Sequence, residues 1–228
     1  ASLPNIVTDG LSLNLDASLV SSYPTTGTTW YDLSGGDKNG TLQNGVGWDN
    51  GGWFQFDGTD DYVTVGSATD FYFGTGDFTI EALFKPIDDG SGWTGVVNKG
   101  GSGAPGFAMS YYAYGNGTVN LKMDIDAPSN EHYSSGNLIS GRNYYITMVY
   151  DRDTAGFVYN NGELTYTHTA LTTQNESVNF SRDLRLGTYD GSAWFQEGTI
   201  SKVRLYNKAL STSEALQNYY QAPIVTDG

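Results

Sequence analysis

The chain has 228 residues, 25 acidic against 11 basic side chains, a formal net charge of −14, and no cysteine. That charge repels phosphate backbones and anionic membranes, and no Lys/Arg cluster offsets it, so nucleic-acid partners are set aside. Membrane insertion is set aside as well, because no apolar run approaches the roughly 20 residues of a span. Without cysteine there is neither a disulfide nor a thiolate metal site. Thirty Gly, seventeen Tyr, ten Phe and five Trp favour strands and tight turns over helices.

The opening Ala1-Ser2-Leu3-Pro4-Asn5 lacks the charged and apolar regions of a signal peptide and reads as a leader or linker over 1–5. Ile6-Val7-Thr8-Asp9-Gly10 then recurs as Ile224-Val225-Thr226-Asp227-Gly228. The two copies read as the start of one repeat and the start of the next. The expected organisation is therefore one domain over 6–222, with 223–228 a linker into a further copy.

Between these ends the pattern is all-β. Phe78, Ile80, Ala82 and Phe84 alternate with Thr79, Glu81, Leu83 and Lys85, a period of two. Val119, Leu121 and Met123 alternate with Asn120, Lys122 and Asp124, and Tyr144, Ile146, Met148 and Tyr150 alternate with Tyr145, Thr147 and Val149. Phe157-Val158-Tyr159 runs into Asn160-Asn161-Gly162 and then Leu164-Thr165-Tyr166, a hairpin whose turn residues tolerate positive φ. Ser211-Thr212-Ser213-Glu214 has capping-box spacing before Ala215–Tyr220, and Pro223 stops that one short helix. The helix is expected to form a lid over an open end of the sandwich. With no βαβ rhythm, the segments predict antiparallel sheets packed face to face.

Several segments together resemble the laminin-G-like, concanavalin A-like jelly-roll superfamily, in particular its tandem copies in phage structural proteins and bacterial surface adhesins. Val7–Ala17 looks like the first strand of that family, and Thr29-Trp30-Tyr31-Asp32-Leu33-Ser34-Gly35 with Asn39-Gly40-Thr41-Leu42 like its first long loop and second strand. Phe56-Asp57-Gly58-Thr59-Asp60-Asp61-Tyr62-Val63 and Phe78-Thr79-Ile80-Glu81-Ala82 match two further hallmarks. Tyr159–Leu164 resembles the hairpin, and Gly198–Leu210 with Glu214 the closing strand and helix. The resemblance implies a two-sheet antiparallel jelly-roll sandwich with one short C-terminal helix, a concave face and loops at its rim. Members bind glycans or proteins, cleave polysaccharides or space other domains, so the fold leaves function open.

Hydrolysis of a sugar polymer needs two carboxyls flanking one bond. Glu81 lies on a convincing strand, but its same-face neighbours are Thr79 and Leu83, and no Glu-x-Asp or Glu-x-Glu spacing occurs. A polysaccharide lyase would need a histidine and tyrosine acid–base pair. The resemblance implies a Gln-x-His motif for it, which is absent, and Glu131-His132-Tyr133-Ser134 reads as an exposed strand or loop. Asp57, Asp60 and Asp61 crowd one turn and suit calcium; the alternative is that they cap turn amides. The resemblance implies a structural calcium near the sandwich edge, although Ser201 stands where some relatives carry an acid. Asp151-x-Asp153 imitates an EF-hand start but reads as a hairpin turn, and Gly101–Gly106 precedes a strand, so it presents no helix to a phosphate.

The aromatic loops remain. Trp93 sits among Gly, Ser and Asp; Tyr111, Tyr112 and Tyr114 end a strand; Tyr189 and Asp190 precede Trp194. Such rings suit stacking on the C–H face of a sugar while Asp and Asn orient its hydroxyls. The alternative is that they pin long loops, the reading preferred for Trp30, Trp48 and Trp53. The expected function is a non-catalytic glycan-recognition domain on an extracellular, cell or virion surface, repeated in tandem for avidity. Its expected ligand residues are Trp93, Tyr112, Tyr114, Tyr189, Asp190 and Trp194, its partners cell-surface or polymeric glycans and neighbouring copies. A structural spacer with no ligand is the alternative; an enzyme is a more distant one.

Overall fold

The computed structural model describes residues 5–101, 104–126 and 130–222, so the second pentapeptide copy lies outside the described residues. The first strands are β1 (Leu11–Asp16), β2 (Thr29–Trp30), β3 (Gly40–Gln43), β4 (Gly47–Asp49), β5 (Trp53–Asp57) and β6 (Tyr62–Val65). The long strands follow: β7 (Phe78–Pro86), β8 (Gly92–Gly101), β9 (Ala104–Ala113), β10 (Thr118–Asp126), β11 (Asn130–Ile139) and β12 (Tyr144–Asp151). The chain closes with β13 (Ala155–Asn160), β14 (Glu163–His168), β15 (Leu184–Leu186), β16 (Glu197–Tyr206) and α1 (Thr212–Tyr220).

One sheet runs β14-β13-β12-β7-β16-β5-β4; β1 shares the edge of β16 with β5, pairing Lys202–Tyr206 while β5 pairs Glu197–Ile200. The other runs β11-β10-β9-β8-β15-β6-β3-β2. The pairings are antiparallel, and the two sheets stack as the jelly-roll sandwich that the period-two segments predict.

The alternation decides which side chains meet between the sheets. Phe78, Ile80, Ala82 and Phe84 of β7 face Phe107, Met109 and Tyr111 of β9 and Val119, Leu121 and Met123 of β10 in one buried cluster. Each fully buried side chain of this size contributes about 1.5–3 kcal/mol. Phe78 stacks on Tyr150 at 4.2 Å and meets Phe107 at 4.8 Å. The Tyr150 hydroxyl donates to the carbonyls of Ala108 and Asp124, which stitches the first sheet to the second. Trp30 lies wholly in this core, and Tyr111 is core rather than part of an aromatic rim.

The helix does not lid an open end of the sandwich. It packs on the outer face of the first sheet, because that face carries Leu83, Tyr145 and Tyr206, which need cover, beside polar groups that need partners. Its capping box forms as expected, with Ser211 accepting from the Glu214 amide and Glu214 from the Ser211 amide. Asn218 on its buried side donates to Glu81 Oε2 and Tyr206 Oη and accepts from the Val7 amide. Glu81 is therefore sealed beneath α1, where it also accepts from Tyr145 and Thr147 and lies 3.9 Å from Arg204. Next along β16, Lys202 pairs with Asp16 at 2.5 Å, both largely buried. This polar row explains why β7 is buried on both faces: one faces the core, the other the helix.

Candidate functional site

The outer face of the second sheet has no helix over it among the described residues. Four neighbouring strands, β8 to β11, build it, and the register aligns their outward residues into rows. Asp124 lies opposite Ala108 on β9 and His132 on β11, and Ala108 lies opposite Asn98 on β8. Lys122 lies opposite Ser110, and Tyr112 opposite both Asn120 and Trp93. The middle of this face is floored by small residues, Gly106, Ala108 and Ser110, while rings rise at the Trp93–Tyr112 end.

Trp93 and Tyr112 meet edge to face at 5.5 Å, and Tyr112 continues to Tyr114 at 4.9 Å. Trp93 also packs on His132 at 4.5 Å, with Lys122 Nζ 5.9 Å from its ring. Tyr114 is 56% exposed and Trp93 half-buried, so the cluster is partly open to solvent.

The second aromatic pair sits on the loop between β15 and β16. This loop lies directly on β8, which only a glycine there permits: a Cβ at Gly95 would stand 2.4 Å from the Thr188 carbonyl oxygen. Thr188 Oγ1 donates to Ala193 O and accepts from Gly191, which closes the loop on itself. Tyr189 and Trp194 meet edge to face at 5.2 Å; Tyr189 is 7% exposed and Trp194 38%, the latter at a φ of 54°. Asp190, expected to orient a ligand, gives one of its two oxygens to its own loop. Its Oδ1 accepts from Ser192 N, Ser192 Oγ and Ala193 N, and these amides hold its carboxyl below the usual range despite partial burial.

Between loop and strands lies a narrow cleft of about 10 Å³, room for one water-sized group, lined by Asn98, Gly106, Ala108, Asp124, Asp126 and Tyr189 among others. Asp124 is buried and bridges two partners, accepting from Ser110 Oγ and pairing with His132 Nδ1 at 2.7 Å. That hydrogen bond raises the His132 imidazole above its ordinary value, against a burial effect of opposite sign. Burial pushes Asp126 up to about 6; Asp124 and Glu131 add to the rise and His132 opposes it. Burial likewise raises Tyr189.

His132 is thus not on an exposed strand or loop: it is half-buried in β11 and ion-paired. The order of the three groups is also informative. The carboxylate sits between hydroxyl and imidazole, so His132 does not receive a proton from Ser110, as acyl transfer by a serine nucleophile requires. What the arrangement offers is aromatic surface, hydrogen-bonding groups and negative charge. Asp124, Asp126, Asn98 and Ser110 were not singled out in the sequence. The signal for the two acids was there, since Asp124-Ile125-Asp126 continues the alternation of Val119–Met123.

The acidic turn stands at the β5–β6 junction. Asp57, Asp60 and Asp61 offer ligand oxygens all within 4.8 Å of one another. Asp57 Oδ1 accepts from Thr59 and Asp60, and Asp61 Oδ2 from Asp57. The Thr59 amide leads the effects that hold Asp57 low, whereas burial and then the Asp57 charge raise Asp61. All-oxygen donors fit a hard cation, and the same oxygens serve the turn. Asp151–Thr154 is the β12–β13 turn, with Thr154 N donating to Asp151.

Two stacked antiparallel sheets, a helix on one outer face and a ring-edged pocket on the other define a lectin-type jelly roll. The chain belongs to the concanavalin A-like lectin/glucanases superfamily, whose Laminin_G_3 model matches residues 57–215. Among curated proteins no sequence matches. Trypanosoma rangeli sialidase in complex with sialic acid is similar over 100% of this chain, at 20% identity and a TM-score of 0.70. The binding domain of Paraclostridial Mosquitocidal Protein 1 is similar over 94%, at 15% identity and 0.71. The receptor binding domain of botulinum neurotoxin C/D mosaic serotype is similar over 95%, at 14% identity and 0.69. This chain spans 35% of the sialidase and 52% of each of the other two. At these identities the likeness is one of fold.

Proposed function

We propose that the chain is a non-catalytic glycan-recognition domain of an extracellular, cell-surface or virion protein, repeated in tandem and bound to polymeric or cell-surface glycans. One observation carries the reading: the partly exposed Trp93–Tyr112–Tyr114 cluster lies on the sheet face that also holds the pocket of Asn98, Asp124 and Asp126. An apolar platform with a few placed polar groups is the usual division of labour at a sugar site. A pure spacer has no need to leave these rings in solvent. The same reading gives the Asp57–Asp61 turn a calcium ion, in which those three carboxylates hold a structural cation.

The test is a glycan array probed with the multimerised chain, with and without calcium. Binding that Trp93→Ala abolishes supports the reading; silence across the array, or binding untouched by Trp93→Ala and Trp194→Ala, sinks it in favour of a spacer. One observation favours hydrolysis as a second reading. Asp124 and Asp126 share a face of β10 two residues apart, roughly 6.6 Å of strand, a placement of two acids that glycosidases also use, and Asp126 is raised to about 6. Release of reducing ends from array-positive glycans, lost in Asp126→Asn, would establish it.

A further inference from the structure

The pocket end of this face carries a charge preference, and the inference rests on the glycan reading. Asn98 is 3% exposed, lines the pocket, and its amide has no hydrogen-bond partner among the described residues. The amide is open to the pocket rather than sealed, so a ligand oxygen that reaches it takes the place of water there. Asp126 also makes no hydrogen bond or ion pair among the described residues. Its partner on β9 is Gly106, which has no side chain to cover it.

Among the described cations near this face, His132 is the one whose charge reaches Asp126. His132 is held by Asp124, Lys122 by the Trp93 ring, and Arg182 donates to the Gly100 carbonyl. Lys99 donates to the carbonyls of Ala68 and Arg182, and Arg185 lies over Tyr62 with its Nε unpartnered and does not reach Asp126. Asp124 and Glu131 set further negative charge against Asp126. Asp126 is therefore only partly compensated, by an imidazole that Asp124 already holds, on a chain of net charge −14.

We propose that this pocket takes a protonated amine, the ammonium of an amino sugar with a free amino group, with Asp126 as its counter-ion and Asn98 on a neighbouring oxygen. The remaining sugar units run along β9 toward Tyr112 and Trp93. Trp93 reaches back over His132 beside the pocket, whereas Tyr112 lies four residues from Ala108, about 13 Å of strand, so a ligand that meets both ends is an oligosaccharide. Sialyl and uronate carboxylates are repelled by the same charges.

Isothermal titration calorimetry on the intact chain tests this with a glucosamine tetramer, its N-acetylated counterpart, a glucose tetramer and cadaverine. The glucosamine tetramer is expected to bind about tenfold or more tightly than the other two sugars, the scale of one charge-assisted hydrogen bond. That preference should vanish in Asp126→Asn and weaken in Asn98→Leu, with amide NMR spectra showing both variants folded. Equal affinity for the three sugars, unaffected by Asp126→Asn, overturns the ammonium inference and leaves the glycan reading standing. Binding of cadaverine alone, lost in Asp126→Asn, supports an ammonium pocket and overturns the glycan reading. No binding of any probe overturns both.

Discussion

Replacing Glu81 by leucine strands a guanidinium. Arg204 is almost wholly buried and lies 3.9 Å from the Glu81 carboxylate; at an effective dielectric of about 20, two unit charges at that spacing attract by about 4 kcal/mol. Removing one member of a buried pair costs about 3–5 kcal/mol for the same reason. Tyr145, Thr147 and Asn218 lose an acceptor as well, although Arg204 keeps its bonds to Asn14 and Tyr145. Leucine returns part of this through its apolar surface, so Glu81→Leu should lose about 3 kcal/mol, a large share of the roughly 5–15 kcal/mol of a natural domain. Glu81→Leu with Arg204→Met leaves no stranded charge and should recover most of the loss. Urea unfolding followed by tryptophan fluorescence reads both values at constant m. A single variant within about 1 kcal/mol of the parent, or a double variant no better than the single, would refute the claim that the pair must stand or fall together.

Three further outcomes follow from geometry already described. Gly95→Ala should lift the 188–194 loop from β8, costing about 1–3 kcal/mol by overpacking and red-shifting Trp194 fluorescence; an unchanged spectrum and melting curve would contradict the close approach at Thr188. The two histidines should titrate apart in NMR, His132 above its ordinary value through Asp124 and His168 below it through burial. His132 thus stabilises the fold below the unfolded-state value of 6.5 and loses that contribution as pH rises through its folded value. His168 acts in the opposite sense, its contribution lost as pH falls through its depressed folded value, and Asp124→Asn should lower His132 alone. Calcium should raise the melting temperature through Asp57, Asp60 and Asp61, and Asp60→Asn should abolish the rise; an equal rise in that variant places the ion elsewhere.

The sandwich was legible because its strands obey a strict period of two: Phe78, Ile80, Ala82 and Phe84 fall on one face, all buried between the sheets. The same pattern put Glu81 on the other face but said nothing of what covers it. That depends on a helix more than 100 residues later in the chain, and Asn218 reads as an ordinary helix residue until it is seen bonded to Glu81 and Val7. Trp93, Tyr112 and Tyr114 were legible as exposed rings, yet their grouping with His132 depends on registers across β8 to β11, set by bulges near Gly95 and Asn120. Asn98 stayed hidden because a buried asparagine looks in sequence like any turn-former. For Asp190 the sequence did not show that one carboxylate oxygen is taken by its own loop.

The bond between Val7 and Asn218 has a mechanical meaning. Leu11 at the start of β1 pairs with Tyr206 at the end of β16, so tension applied through the segments before Val7 and after Tyr220 pulls two neighbouring strands apart from the same end. Loaded that way, a ladder unzips one hydrogen bond at a time and resists weakly. The clasp stands in front of it: Asn218 holds the Val7 amide and Tyr206 the Val7 carbonyl, so both must yield before the first rung of β1 feels the force.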